Sequence, residues 1–106
     1  MLVDEYYIGS DLKFRIDISA TGFNQETDPY DIDVYCGNKK LSFTQANVKQ
    51  CDDKFYLPVP TSTLSPGRLK IVITAHVPDN DFSDGYRDEI VVKKLNYNIK
   101  TVEDAL

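Results

Sequence analysis

The segment DNDFSDGYRDE, residues 79–89, holds the densest group of side chains in this chain that could carry chemistry. Asp79, Asp81 and Asp84 offer carboxylate oxygens, and hard oxygen ligands on a flexible loop suit Ca²⁺. An EF-hand loop that started at Asp79 would need glycine at its sixth position and glutamate at its twelfth. The sixth residue is instead Asp84 and the twelfth is Ile90, so the segment lacks the register of an EF-hand.

Two interpretations of this acidic loop stay open. Asp79, Asp81 and Asp84 form a calcium site of another kind, or the segment is a polar turn, because Asp, Asn, Ser and Gly are also the residues of turns. We favour the turn, since Gly85 supplies a positive φ and Arg87 neutralises neighbouring carboxylates. The prediction is therefore that the chain binds no metal and no cofactor.

Groups suited to catalysis are sparse in the rest of the chain. His76 is the only histidine, and it is out of phase with the apolar residues of its segment, so we expect it to face solvent or a residue of the second sheet. It has Asp79 and Asp81 within reach in sequence, but no serine or cysteine nucleophile lies beside it. No glycine-rich phosphate loop occurs. We predict that the protein is not an enzyme.

The two cysteines, Cys36 and Cys51, match no zinc-ligand spacing and are too few for a disulfide framework. Cys36 shares its parity with Ile32 and Val34, which favours a buried free thiol that packs as a small hydrophobic residue. A disulfide between the two cysteines is the alternative.

Composition limits the classes of partner. The net charge of −5 and the pI of about 4.7 leave no basic field for nucleic acid and disfavour anionic membranes. The amino terminus has no basic n-region, and no apolar run is long enough to span a bilayer. We therefore expect synthesis in a bacterial cytoplasm without a signal peptide, and a single domain over residues 1–106.

Alternation of apolar and polar residues predicts β-strands. In LKFRIDI, for example, Leu12, Phe14 and Ile16 lie on one face. The apolar residues of the last strand change parity from Ile90 and Val92 to Leu95, Tyr97 and Ile99, which suggests a β-bulge near residues 93–94. Pro58 indicates that its strand lies at an edge or ends there. The predicted strands are 12–18, 31–36, 40–45, 54–59, 68–77 and 89–100, with a hairpin turn at Gly37–Asn38, a short edge strand within 46–53 and one helical turn within 60–67.

Six or seven short strands separated by turn signals are typical of an all-β sandwich, with a small barrel as the alternative. Residues of shared parity define the expected core. They are Phe14, Ile16, Val34, Phe43, Leu57, Leu64, Ile71 and Ile73.

The run FYLPVPTSTLSPGRLKIVITAHV has the order strand, leucine, Pro-Gly, strand, and it resembles the corner between strands E and F of immunoglobulin-like domains. The resemblance implies that Leu64 plugs the core. It assigns strands A, B and C to residues 12–18, 31–36 and 40–45, and E, F and G to the last three. The chain has no tryptophan, unlike antibody domains.

A narrower resemblance covers residues 10–100. The YLP strand and the segment TLSPGRLKIVITAHVPDNDFSDGYRDE resemble the amino-terminal immunoglobulin-like domain of phage baseplate upper proteins, and small virion proteins of phages and prophages of Bacteroides-type bacteria. The resemblance implies a structural or docking module in a virion, with other virion or baseplate proteins as partners. Because the sequence stops soon after the last predicted strand, the expectation is either the docking domain alone or a small decoration protein.

Binding is expected through protein contacts, by an exposed sheet edge or by outward tyrosines. Tyr35 and Tyr56 are out of phase with the apolar faces of their strands and are the candidate binding residues. Residues 1–9 form an arm that reaches another subunit in a homo-oligomer, or they extend a strand of the monomer, and residues 101–106 are a tail. A carbohydrate- or calcium-binding adhesin domain is the alternative function.

Overall fold

The computed structural model describes the backbone of residues 4–100 and the side chains of residues 6–93 and 98–100. Every predicted strand is present, and its bounds differ from the prediction by at most three residues. The strands are β1 (Asp4–Tyr7), β2 (Asp11–Arg15), β3 (Tyr30–Cys36), β4 (Lys39–Thr44), β5 (Lys49–Cys51), β6 (Lys54–Pro60), β7 (Gly67–Pro78) and β8 (Tyr86–Lys100), and single 3₁₀ turns lie at Gln45–Asn47 and Thr61–Thr63.

Two sheets pack face to face around one core, which confirms the all-β sandwich. The larger sheet has the order β1-β8-β7-β3-β4, and the smaller has the order β2-β6-β5. All neighbouring strands are antiparallel except β1 and β8, which are parallel. The described residues contain eight strands rather than six or seven, because the amino-terminal segment adds β1 to the edge of β8.

The order of the strands in the sheets bears on the immunoglobulin letters A, B and C that the resemblance gave to the first three predicted strands. In immunoglobulin domains strand B lies in the sheet of strand E, and strand C lies beside strand F in the other sheet. Here β2 pairs with β6 and β3 pairs with β7, so an immunoglobulin-like interpretation would give β2, β3 and β4 the letters B, C and C′ rather than A, B and C. The sheets then read B-E-D and G-F-C-C′. The immunoglobulin-like name stays an interpretation of this order.

The core lies between β3 and β7 of the large sheet and β2 and β6 of the small one. Alternate residues of β7 point inward, and Leu69, Ile73 and Val77 are at most 1% exposed. Of the expected core, only Phe43 is partly rather than fully buried. The other members are buried as predicted: Phe14, Ile16, Val34, Leu57, Leu64, Ile71 and Ile73.

The strand β2 ends before the predicted residue 18 because a side chain replaces its ladder partner. Gln25 Nε2 donates to the carbonyl of Ile16 at 2.7 Å, and Gln25 Oε1 accepts from the amide of Ile18 at 3.0 Å. The amide of Ile16 still donates to the carbonyl of Phe55 at 2.9 Å. A glutamine of the following loop therefore completes the hydrogen bonding that a longer strand would have made.

Ile90 and Val92, the apolar residues of alternating parity in the first half of the last predicted strand, do not point into the core. Ile90 is 66% exposed and Val92 is 56% exposed on the outer face of β8. Arg68 pairs with Asn98 and Lys70 pairs with Lys94, so residues 95–97 lie opposite the single residue between them. The irregularity follows Lys94 and inserts two residues, which preserves the parity of the strand and places Ile99, at 1% exposure, on the inner face.

Pro58 lies in the central strand of the small sheet, so the prediction of an edge strand is wrong for β6 as a whole. The prediction is correct at Pro58 itself, because its nitrogen faces no neighbouring strand among the described residues. The hydrogen bond from Ile16 to Phe55 means that Pro58, paired with Lys13, turns its nitrogen away from β2. The pairing of β5 ends at Tyr56, so the described residues leave that side of Pro58 open.

The corner between β6 and β7 packs against the hairpin turn of β3 and β4. Leu64 is 5% exposed and belongs to the core. Gly37 has φ 61°, and Gly67 has φ 149°. A Cβ on Gly67 would lie 2.9 Å from the amide nitrogen of Gly37, so the two backbones meet at a distance that no larger residue allows.

We expect Leu64→Ala to lower the free energy of unfolding by about 2–5 kcal/mol, because it leaves a cavity in a buried site. Chemical denaturation followed by circular dichroism measures the change. The control is Ile90→Ala, which removes an exposed side chain and should change stability by less than about 0.5 kcal/mol. Equal changes in the free energy of unfolding for the two substitutions would show that Leu64 does not fill a site in the core.

Candidate interaction surface

The acidic loop is a closed turn within the protein. The amide of Asp79 donates to the carbonyl of Gly85 at 2.8 Å, and the amide of Tyr86 donates to Asp84 Oδ1 at 3.1 Å. Asp79 Oδ1 accepts from the amide of Asp81 at 3.0 Å, and Asp79 Oδ2 lies 3.1 Å from Arg87 Nη1. Both carboxylate oxygens of Asp79 therefore have protein partners.

Arg87 ties this turn to the loop that follows β2, at the same end of the sandwich. Its Nη2 donates to the carbonyl of Thr21 at 2.8 Å, and its Nε lies 3.3 Å from Glu89 Oε1. The amide of Asp81, followed by the guanidinium of Arg87, lowers the pKa of Asp79 below its ordinary value. No group of three or more histidine, cysteine, aspartate or glutamate residues within the described part of the chain is arranged to hold a metal ion.

Calorimetric titration of the protein with CaCl₂ should give no saturable heat in the micromolar range. A cation would have to displace Arg87 from Asp79. In addition, the acidic residues do not have the spacing of the ligands in an EF-hand loop. The substitution Arg87→Gln is the matched test variant, since it frees one oxygen of Asp79. A micromolar site in the unaltered protein would show that the loop is a calcium site.

His76 lies between two carboxylates that are distant from it in the sequence. Its Nε2 lies 2.8 Å from Asp31 Oδ2, and its Nδ1 lies 2.6 Å from Asp88 Oδ1. Asp88 is directly opposite His76 in the ladder of β7 and β8, while Asp31 comes from β3. The expected partners Asp79 and Asp81 are not the ones it contacts. This contact follows from the cross-strand register, and the register can be predicted only when the order of the strands in the sheet is known.

A ring with a carboxylate at each nitrogen donates through both nitrogens, and this requires the imidazolium form. The hydrogen bond to Asp31, followed by that to Asp88, raises the pKa of His76 above its ordinary value of 6.5. Ser42 Oγ donates to Asp33 Oδ1 at 2.7 Å rather than to the histidine. This arrangement links three strands, and both hydrogen bonds of the ring that the described residues make are to carboxylates.

The contribution of His76 to stability should depend on pH with a definite sign. Because its folded-state pKa is raised, its contribution is complete below the unfolded value of 6.5 and is lost as pH rises through the folded value. The stability difference between the protein and its His76→Gln variant should therefore shrink as the pH is raised above about 6.5, the ordinary pKa of histidine. Both aspartates are more than half exposed, so the difference should not exceed about 1 kcal/mol.

The pKa itself is measurable by NMR titration, since a single histidine gives a single set of ring resonances. A titration midpoint at or below 6.5 would contradict the contact with the two carboxylates.

Tyr35 and Tyr56 belong to different sheets. Tyr35 is 36% exposed on the outer face of the large sheet, with Lys40 Nζ 5.9 Å from its ring centre. Tyr56 lies on the outer face of the small sheet and pairs with Arg15 and Lys49. The two rings therefore do not form one aromatic patch. Their role in contacting a partner stays a prediction.

The two cysteines are both free, and they lie in different sheets. Cys36 is 1% exposed, and its Sγ lies 3.3 Å from the carbonyl of Gly67. Burial raises the pKa of its thiol. This agrees with the interpretation of Cys36 as a small hydrophobic residue, and not with the alternative of a disulfide to the exposed Cys51.

The most conspicuous open feature is the edge of β8. The amide of His76 donates to the carbonyl of Pro29, so even-numbered residues of β7 bond to β3 and odd-numbered residues bond to β8. Residues 87, 89, 91 and 93 of β8 therefore bond to β7, and the backbone groups of Asp88, Ile90 and Val92 point away from the sheet. The register of β1 begins opposite Tyr97, so its described residues leave this stretch uncovered.

Apolar side chains coincide with these outward backbone groups. Ile90, Val91 and Val92 are 66%, 36% and 56% exposed. The edge of β2 lies on the same side of the sandwich. Its Lys13 and Arg15 line, with Ile71 and Lys93, a groove of about 360 Å³ between the sheets. This side is the position that strand A occupies in constant-type immunoglobulin domains, where A extends the sheet that contains B.

Comparisons with known proteins add no relative. No protein-family model matches the chain, and neither the curated proteins nor the solved structures contain a significant match. Among the described residues there is also no helix with the length and apolar character of a membrane span.

Proposed function

We propose that this domain is a non-enzymatic structural and docking module of a phage or prophage particle, and that it acts by pairing the open edge of β8 with a strand of another protein subunit. The observation that carries the docking role is the coincidence of unpaired backbone groups at Ile90 and Val92 with exposed β-branched side chains. Such an edge is a template for strand addition.

The setting in a particle rests on the resemblance of the residues 10–100 to phage baseplate and small virion proteins. The strand order is compatible with it, because the sheets B-E-D and G-F-C-C′ have the neighbours of an immunoglobulin-like domain. The contacts of His76 support a role without catalysis, because each nitrogen of its ring already has a carboxylate partner within the protein. The adhesin alternative has no comparable support, because Asp79 of its calcium loop is bonded within the protein.

Particles induced from a bacterium that carries this gene provide the test. Quantitative mass spectrometry should find the chain co-purifying with the major capsid protein through a density gradient, at a fixed copy number per particle. A phage replication protein serves as the control for trapped cytoplasmic material. If the chain separates from the particles as the replication protein does, the proposed function is wrong.

An edge variant connects this role to β8. Ile90→Pro removes an amide that points to solvent, so the internal ladder with β7 is preserved while an added strand loses a donor. We expect the variant to fold and to be depleted from particles. Phe82→Ser is the matched control, since Phe82 is 52% exposed in the acidic loop, away from this edge.

A further inference from the structure

We propose that the partner strand at the β8 edge is the same strand of a second copy, paired antiparallel about a two-fold axis at Val91. This inference rests on the proposed function and specifies the partner of the same edge. It predicts a symmetric dimer in which two five-stranded sheets join into one continuous sheet.

The sequence around the edge is self-complementary in charge. Two acidic residues, Asp88 and Glu89, precede the run Ile90-Val91-Val92, and two lysines follow it. An antiparallel pairing of this strand with itself places the acidic end of one copy against the basic end of the other. Opposite charges across a strand pair stabilise it, and like charges destabilise it.

Backbone geometry restricts the possible registers. Outward-pointing residues of one copy must face outward-pointing residues of the other, so even-numbered residues pair with even-numbered residues. An axis at Val91 places Ile90 opposite Val92 twice, Val91 opposite itself, and Glu89 opposite Lys93 twice. The pairs of Val91 and of Glu89 with Lys93 are then non-hydrogen-bonded pairs, whose side chains approach most closely.

The neighbouring symmetric registers are unfavourable. An axis at Ile90 places Arg87 opposite Lys93, which brings two positive charges together. An axis at Glu89 places that carboxylate opposite its own copy. An axis at Val92 places Val91 opposite Lys93. The register about Val91 is the one that pairs apolar with apolar and acid with base at each of the residues from 89 to 93.

The neighbouring edge of β2 is a poorer partner for itself. Lys13 and Arg15 lie on this edge and present positive charges along it, and basic residues on an edge protect it against pairing. On β8 the charged residues instead flank the apolar run and do not interrupt it. A pairing of about five residues is a small interface, so we expect a dissociation constant in the micromolar range or weaker.

Charge reversal tests both the partner and the register. Sedimentation velocity from about 1 μM to about 1 mM should show a dimer of the unaltered protein. Glu89→Lys alone and Lys93→Glu alone should each weaken dimerisation about tenfold, because each creates two like-charged pairs. An equimolar mixture of these two variants should dimerise like the unaltered protein, since the lysine introduced at position 89 then faces the glutamate introduced at position 93. The double variant should dimerise as well.

Folding of each variant is checked by circular dichroism, and Asp53→Lys, in the exposed turn between β5 and β6, is a charge-reversal control away from the β8 edge. A monomer at the highest concentration would overturn the inference, and so would a mixture of the two single variants that stays monomeric. If the chain is a monomer but is present in particles, and Ile90→Pro depletes it there, the edge binds a different virion protein and the proposed function stands. If the dimer forms but the chain is absent from particles, the proposed function fails and the dimer stands.

Discussion

A sheet of three strands cannot cover a sheet of five, and this mismatch determines which apolar residues of the domain are buried. The small sheet lies over β3 and β7, whose inward side chains Val34 and Ile73 are at most 1% exposed. It does not extend over the middle of β8, where the inward-facing Val91 is still 36% exposed. The core is therefore complete on one side of the sandwich, and the other side keeps an open edge. Burial of apolar surface against the small sheet is the dominant stabilising term, and β8 receives little of it over residues 88–93.

The polar side chains that suggest chemistry act instead as ties between strands. Thr61, 0% exposed, bonds through its hydroxyl to the amide of Gly9 and the carbonyl of Ser10. His76 joins β3, β7 and β8, and Arg87 joins the acidic turn to the loop after β2. Within the described residues no buried side-chain nitrogen or oxygen lacks a partner. Because these buried groups satisfy one another, the proposed recognition of a partner uses the open backbone edge of β8 and not these side chains.

Local alternation was sufficient to predict the strands, and topology was needed to predict their neighbours. The faces of β7 and of most of β3 follow from period-two patterning, since each has one buried face. The same reasoning failed for β8, where Ile90 and Val92 are as apolar as core residues but lie on the outer face. Hydrophobicity alone does not say which face is covered, because this depends on the width of the opposite sheet. The contact of His76 with Asp31 likewise needs the pairing of β3 with β7, which joins residues far apart in the chain.

The arrangement of charges along the large sheet limits how far strand addition can proceed. In the proposed dimer, pairing about Val91 uses the open edge of β8 in both copies, so no β8 edge remains for a third copy. The opposite edge of the sheet is β4, which carries Lys39 and Lys40, and β4 of one copy offers no acidic complement to β4 of another. Basic residues on an edge disfavour pairing with a like edge. A symmetric contact at the β8 edge, together with the lysines on the β4 edge, therefore favours a closed dimer over an open filament. Within a particle, the closed pair would leave the outer face of the sheet, with Tyr35, free for contacts to other components.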